Sequence, residues 1–203
     1  MTKIIGITGN SGSGKTTVLG ILEELGVATA NADSIVHSLM ELGKPVYIDI
    51  LAAFGKDILA ENGQIDRKKL GALVFNDITQ RSLLENIVHP HVIRTILTEI
   101  KATERPFFAI DAVLLVESNL HTYCDEVWLI KARRECVIRR ITARDALTEK
   151  EISDRLRNQR DTSKIESEVT IDNSESLECL RECVLSEARR LGILPQNPAH
   201  LED

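Results

Sequence analysis

Gly9-Asn10-Ser11-Gly12-Ser13-Gly14-Lys15-Thr16, set between an apolar run at 3–8 and an amphipathic stretch, decides how the chain is read. Glycines at the start, middle and end of this segment let the backbone wrap, so that successive N–H groups aim at one anion. A helix beginning near Lys15 turns its positive end toward the same anion. In this pattern the lysine, Lys15, reaches the β- and γ-phosphates of ATP, and the hydroxyl of Thr16 is placed to ligate magnesium. Asn10, Ser11, Gly12, Ser13, Gly14, Lys15, Thr16 and Thr17 are therefore the expected ATP cradle.

Outward from the loop, short segments rich in apolar and β-branched residues recur at 3–8, 27–30, 106–110, 126–130 and 169–171. Helical patterns separate them. Such alternation points to parallel strands joined by helical crossovers: an α/β fold, three layers around a five-stranded parallel sheet. The first crossover carries Val18, Ile21, Leu22 and Leu25 on one face and stops at Gly26. The last begins near Ser176 and ends at Gly192.

Two stretches exceed what such a sheet needs. Residues 34–105 read as a helical insertion, with apolar faces supplied by Leu39, Met40, Leu42, Ile50, Leu51, Phe54, Leu70, Leu73, Val74 and Phe75. Pro90 reads there as the first residue of a helix, where its fixed φ and missing N–H are harmless. Residues 139–161 are dense in charge, and Thr148-Glu149-Lys150-Glu151 has the form of a capping box. The expected organisation is a nucleotide-binding core (1–33, 106–138 and 162–192), an acceptor-binding insertion (34–105), a lid (139–161) and a flexible tail (193–203).

Composition narrows the function classes. The 203 residues carry a formal net charge of −6 and only 3% aromatics, with Trp128 the single tryptophan. A phosphate-backbone binder needs a basic surface and a single-strand binder needs stacking platforms, so no nucleic-acid partner is expected. No basic-then-apolar leader opens the sequence, and no apolar run has the length that spans a bilayer. Cys124, Cys136, Cys179 and Cys183 lack Cys-x-x-Cys spacing and read as reduced thiols. A cytoplasmic protein without membrane partners is expected; homo-oligomerisation stays open.

Beyond the cradle, three acidic or basic positions draw chemistry. Phe107-Phe108-Ala109-Ile110-Asp111 ends an apolar strand on a carboxylate, the form of a Walker B element, so Asp111 is a candidate magnesium ligand. Asp33 lies just past the second strand, at the rim where open parallel sheets bind ligands. It can take the proton of an acceptor hydroxyl, and it can also cap a helix starting near Ile35. Arg140 and Arg144 stand four apart, so on a helix both point at one anion and can meet charge developing in phosphoryl transfer.

With these residues in place, the chain resembles the dephospho-coenzyme A kinase family along most of its length. The resemblance rests on Gly6-Ile7-Thr8-Gly9, Gly12-Ser13-Gly14-Lys15, Ala32-Asp33 and Gly63-Gln64-Ile65-Asp66-Arg67 with Leu70 and Val74-Phe75. It rests also on Leu84-Glu85-Asn86-Ile87-Val88-His89-Pro90, Asp111 with Leu114-Leu115-Val116-Glu117, Arg140, Arg144-Asp145, Gln159 and Ile171-Asp172-Asn173. The resemblance implies transfer of the γ-phosphoryl group of ATP, with Mg2+, to the ribose 3′-hydroxyl of dephospho-CoA. Lys15, Asp33 and Arg140 would then be catalytic, with Asp33 the general base. Arg144 would join Arg140 on ATP, Asn173 would lie near adenine, and the 140–159 region would close as a lid. Thr8, Asp33, Arg67, His89, Leu114 and Glu117 would contact the acceptor.

Three places depart from the family's usual pattern: Asn10-Ser11 stands for Gly-Ile, Asn31 for Asp, and Val113 for Pro. The alternatives are another small-molecule or nucleoside monophosphate kinase, or a nucleotide-binding regulator without activity.

Overall fold

The computed structural model describes residues 1–75, 77–144 and 161–195, the side chain of Arg144 excepted. The segment Thr148-Glu149-Lys150-Glu151, Gln159, most of the expected lid and residues 196–203 of the expected tail lie outside the described residues.

Five strands form one parallel sheet: β1 (Lys3–Thr8), β2 (Ala28–Asn31), β3 (Phe107–Asp111), β4 (Glu126–Lys131) and β5 (Val169–Asp172). Their order is β2-β3-β1-β4-β5. The first strand thus lies at the centre, pairing Ile5 with Ala109 of β3 and Ile7 with Trp128 of β4. A central parallel strand is covered on both faces, which is why 3–8 reads as a nearly continuous apolar run and not as an alternating one. Ile5, Ile7, Trp128 and Ile130 are fully or almost fully buried. They share one core with Val18, Ile21 and Leu22 of α1 (Lys15–Glu24) and with Leu180 and Val184 of α7 (Leu177–Leu191). Ser176 caps α7 through the Cys179 N–H, and Gly192 ends it at φ +81°.

Two compact units divide the chain: 31–102 forms one, and the remainder, with the sheet, forms the other. The smaller unit is helical, with α2 (Ala32–Leu39), α3 (Pro45–Phe54), α4 (Arg67–Phe75) and α5 (Ile78–Ala102). The long α5 is its spine, and α2, α3 and α4 all pack against it. Its core is Val46, Tyr47, Ile50, Ile58, Leu70, Val88, Val92 and Ile96.

Two sequence expectations fail in this unit. Pro90 is inside α5 and does not begin a helix. An interior proline removes one backbone hydrogen bond, from the carbonyl four residues earlier. That residue is Asn86, which is exposed to water, while Val88, Val92 and Ile96 are buried on one face on either side of the proline. Burial of that face outweighs the local signal. Leu42, Leu73 and Phe75, expected on apolar faces, are 58%, 47% and 52% exposed. In α4 the buried stripe passes through Leu70 and half-buried Val74, one turn apart, and this leaves Leu73 and Phe75 pointing away from it.

An ion pair ties the edge of the sheet core to the last helix. The Glu126 carboxylate, at the start of β4, accepts hydrogen bonds from Arg190 Nη1 (3.1 Å) and Nη2 (2.5 Å) and from Trp128 Nε1 (3.3 Å). The Arg190 hydrogen bonds, chiefly, hold Glu126 below the usual carboxylate range against an opposing desolvation. A depressed carboxylate stabilises the fold above its unfolded pKa of about 4.3, and that contribution disappears as pH falls through the lower folded value. Thermal melts from pH 7 down to pH 3 should therefore show a loss of Tm beginning near pH ~4. Glu126→Gln should lower Tm at neutral pH and flatten the acid limb; an unchanged acid limb would assign it to other carboxylates.

Candidate functional site

The loop between β1 and α1 is shaped by glycines in conformations other residues avoid. Gly9, Gly12 and Gly14 have φ of +148°, +82° and +103°. A Cβ on Gly9 would lie 2.3 Å from the Ile130 carbonyl oxygen, and one on Gly14 would lie 2.0 Å from Asn173 Nδ2. Both glycines are fixed by space as well as by φ.

Gly14 is the N-terminal flank of α1, and among the described residues no side chain caps this helix end. The start of a helix carries backbone N–H groups without partners inside the helix and a partial positive charge, so an uncapped start is suited to an anion. Lys15, the first residue of the helix, is 7% exposed, and its Nζ donates to the Asn10 carbonyl at 3.4 Å, which arches the cation over the loop. The Ser13 hydroxyl is buried and has no hydrogen-bond partner among the described residues. An orphaned hydroxyl, a buried ammonium and a bare helix end together fit a polyphosphate.

At the next residue the available ligand atoms are oxygens. Thr16 Oγ1 donates to Asp111 Oδ2 at 3.3 Å, which joins the first turn of α1 to the last residue of β3. Asp111 is 3% exposed. A hydroxyl and a carboxylate meeting beside a phosphate cradle are what a hard cation such as Mg2+ takes, its remaining ligands coming from water and phosphate oxygens.

Arg140 reaches the same loop from α6 (Arg134–Arg144). Its Nη2 donates to the backbone carbonyl of Asn173 (2.8 Å) and to Asn173 Oδ1 (3.1 Å), while Nη1 is 3.5 Å from the Ser13 carbonyl. Asn10, Ser13, Lys15, Arg140 and Asn173, five of the nucleotide residues expected from the sequence, share contacts around one loop, and Thr17 is exposed on the first turn of α1. The Arg144 side chain lies outside the description.

In the helical unit, Asn31 is the residue that caps α2: its Oδ1 accepts the Ser34 N–H at 2.8 Å. The helix starts at Ala32, so Asp33 is inside its first turn and does not cap a helix near Ile35. This corrects the rival reading of Asp33. It also explains one departure from the family pattern, because Asn caps as well as Asp does. Asp33 is exposed. One turn on, His37 Nε2 meets Arg67 Nη1 at 2.6 Å, and Asp66 receives the Lys68 and Lys69 N–H groups at the start of α4. His37 was not among the expected site residues. Its spacing of four from Asp33 on one helix was the available signal. His89 lies half-buried within α5.

After β3 the chain turns through Val113 and Leu114. Thr8 is fully buried, and its Oγ1 donates to the Val113 backbone carbonyl at 3.3 Å. That contact uses the main chain, so the valine side chain at this second departure does not enter it. Leu114 and Glu117 are exposed on the same turn.

Comparison with known proteins gives concordant results. The dephospho-CoA kinase family profile matches residues 3–178. The dephospho-CoA kinase of Carboxydothermus hydrogenoformans is 38% identical over 188 residues, covering 90% of this chain and 91% of that protein. That of Geobacter sulfurreducens is 39% identical over 177 residues, covering 84% and 89%. Among solved structures, a Thermus thermophilus protein superposes with a TM-score of 0.80 at 30% identity, covering 94% of this chain and 98% of its own. The dephospho-CoA kinase of Campylobacter jejuni superposes with a TM-score of 0.63 at 25% identity, with the same coverage of 94% and 98%.

The cap on α2 can be tested directly. Asn31→Ala should cost about 1 kcal/mol of stability in urea melts, whereas Asn31→Asp should remain within a few tenths of a kcal/mol. Turnover by Asn31→Asp should match that of the parent; a large loss would give Asn31 a role beyond the cap.

Proposed function

The chain belongs to the dephospho-CoA kinase family, and from that premise we propose how its residues divide the work of moving a phosphoryl group. The enzyme uses ATP to phosphorylate the ribose 3′-hydroxyl of dephospho-CoA, giving CoA and ADP, the last step of coenzyme A biosynthesis. The observation that carries the division of roles is the uncapped start of α1, with buried Lys15 above it and the Thr16–Asp111 pair below.

In this reading the N–H groups of 12–16 and the Lys15 ammonium hold the β- and γ-phosphates. Thr16 and Asp111 hold Mg2+, which when bound offsets charge on the phosphate oxygens. Asp33 accepts the proton of the 3′-hydroxyl as that oxygen bonds to the γ-phosphorus. The bond from phosphorus to the bridging oxygen breaks, and ADP carries the electron pair away. Arg140 meets the charge that spreads over the transferring group. Arg144 assists Arg140, and the 140–159 region excludes water over the site. Thr8, Arg67, His89, Leu114 and Glu117 take the acceptor. A cytoplasmic setting belongs to the same proposal, supported by four unpaired thiols.

Turnover measured as ADP release should discriminate these roles. Lys15→Ala should lose ~10²-fold or more in kcat with an unchanged fold by circular dichroism. Asp33→Asn, which leaves the Asn31 cap untouched, should lose ~10²-fold; undiminished turnover would remove Asp33 from the chemistry. Dephospho-CoA should give much higher kcat/KM than AMP, CMP, shikimate or adenosine, and phosphorus NMR should place the new group on the 3′-oxygen. Preference for a nucleoside monophosphate would sink the acceptor assignment.

A further inference from the structure

The first residue past β5 occupies a position that ATP contact alone does not explain. Asn173 is 5% exposed. Its backbone N–H donates to the Lys131 carbonyl at 2.7 Å and extends the β4–β5 ladder by one step, so the backbone that carries it has little slack. Its side chain then makes two bonds in opposite senses. Nδ2 donates to the Ser13 carbonyl at 2.8 Å, and Oδ1 accepts from Arg140 Nη2 at 3.1 Å.

Each bond has a directional consequence. The peptide joining Ser13 to Gly14 is planar and trans, so its carbonyl and its N–H point opposite ways. Holding the Ser13 carbonyl against Asn173 aims the Gly14 N–H away from Asn173, toward the phosphate side of the loop. On the other side, Arg140 is gripped twice by one residue, through Asn173 Oδ1 and through its backbone carbonyl. A free arginine carries about 2 kcal/mol of rotamer entropy, and this grip removes much of it before any substrate arrives.

The helix that presents Arg140 is anchored by the same neighbourhood. Arg133 and Cys136, seven and four residues before Arg140 on one face, bond to the chain next to Asn173. The Arg133 N–H donates to Ser174 Oγ (2.8 Å), its guanidinium to Glu175 (2.5 Å), and Cys136 Sγ to the Ser174 carbonyl (3.4 Å). Few side chains could replace asparagine here. Aspartate lacks the donor, serine is too short, and glutamine carries its amide one carbon too far.

We propose that Asn173 is a positioning residue: it sets the Ser13–Gly14 peptide and the Arg140 guanidinium in register, so the arginine is aimed before ATP binds. This rests on the reading that Arg140 meets the transferring group. It differs from a contact to adenine, the role the family resemblance implies for this residue.

The test is a double-mutant cycle on the full chain, with kcat, KM for ATP, and the ATP-to-GTP ratio of kcat/KM read for each protein. Arg140→Ala should lower kcat by ~10²-fold, and Asn173→Ala should lower it by at least about 10-fold. The double variant should be within a factor of about three of Arg140→Ala, because residues acting through one another are not additive. The ATP-to-GTP ratio should be unchanged. Equal fold losses from Asn173→Ala in both backgrounds would make it a structural residue and overturn the proposal. So would a collapse of ATP selectivity with kcat intact. If Arg140→Ala alone leaves kcat unchanged, it is the role of Arg140 that fails, and the proposal falls with it. Should Asn173→Ala not fold, Asn173→Asp keeps an acceptor for Arg140 but replaces the donor to Ser13 with a carboxylate oxygen that the Ser13 carbonyl repels. It should raise KM for ATP several-fold while lowering kcat less than Arg140→Ala does; an unchanged KM would overturn the loop half of the proposal.

Discussion

The first turn of any α-helix leaves backbone N–H groups that nothing inside the helix can satisfy. In α1 no side chain caps them, and the turn sits beside three glycines whose φ angles are all positive. The surroundings of the cradle follow from keeping that end bare. A residue with a Cβ at Gly9 or Gly14 would strike the Ile130 carbonyl or the Asn173 amide, so the loop can be neither filled nor relaxed without moving β4 or the Asn173 side chain. Lys15 is buried over the loop, where a cation is tolerated because the loop carbonyl of Asn10 accepts from it. The sheet order places β1 between β3 and β4, so Asp111 and the α6 arginine approach the same helix end from either side.

The helical unit obeys a different constraint. Among the described residues it has nine buried apolar side chains, gathered around a 25-residue helix that runs through a proline. A small core of this kind must draw on every position of its stripe. Leu70 and Val74 serve it, whereas Leu73 and Phe75, two residues that a hydropathy reading would also bury, stay at the surface. Fixed caps compensate in part: Asn31 begins α2, Asp66 precedes α4 and Tyr47 reaches the Gly63 carbonyl at 2.7 Å.

What could be read in the sequence divides along the same line. The sheet was legible because central parallel strands need apolar residues on both faces, and Trp128 and Ile130 on one face of β4 with Val127 and Leu129 on the other make that need visible. The cradle was legible because its glycine spacing answers a local steric demand. Pro90 was misread because a proline's local preference is settled by the tertiary packing of Val88 and Val92, which no window reveals. The cap of α2 was harder to read, because Asn31 and Asp33 can both begin a helix and only the backbone path shows that Asn31 does. The contacts of Asn173 with Ser13 and Arg140 join residues 160 and 33 apart in sequence, and only the fold brings them together.

Trp128 gives the two units different spectroscopic visibility. It is the single tryptophan of the chain and is fully buried in the sheet core, while the helical unit has Tyr47 as its buried aromatic side chain. Indole emission therefore follows the melting of the sheet unit alone. The helical unit, rich in α-structure, dominates little of that emission but much of the far-ultraviolet ellipticity. Denaturation curves recorded by the two signals would coincide if the units unfold as one and separate if they do not. An unmodified chain thus carries its own reporter for whether the two units belong to one cooperative structure.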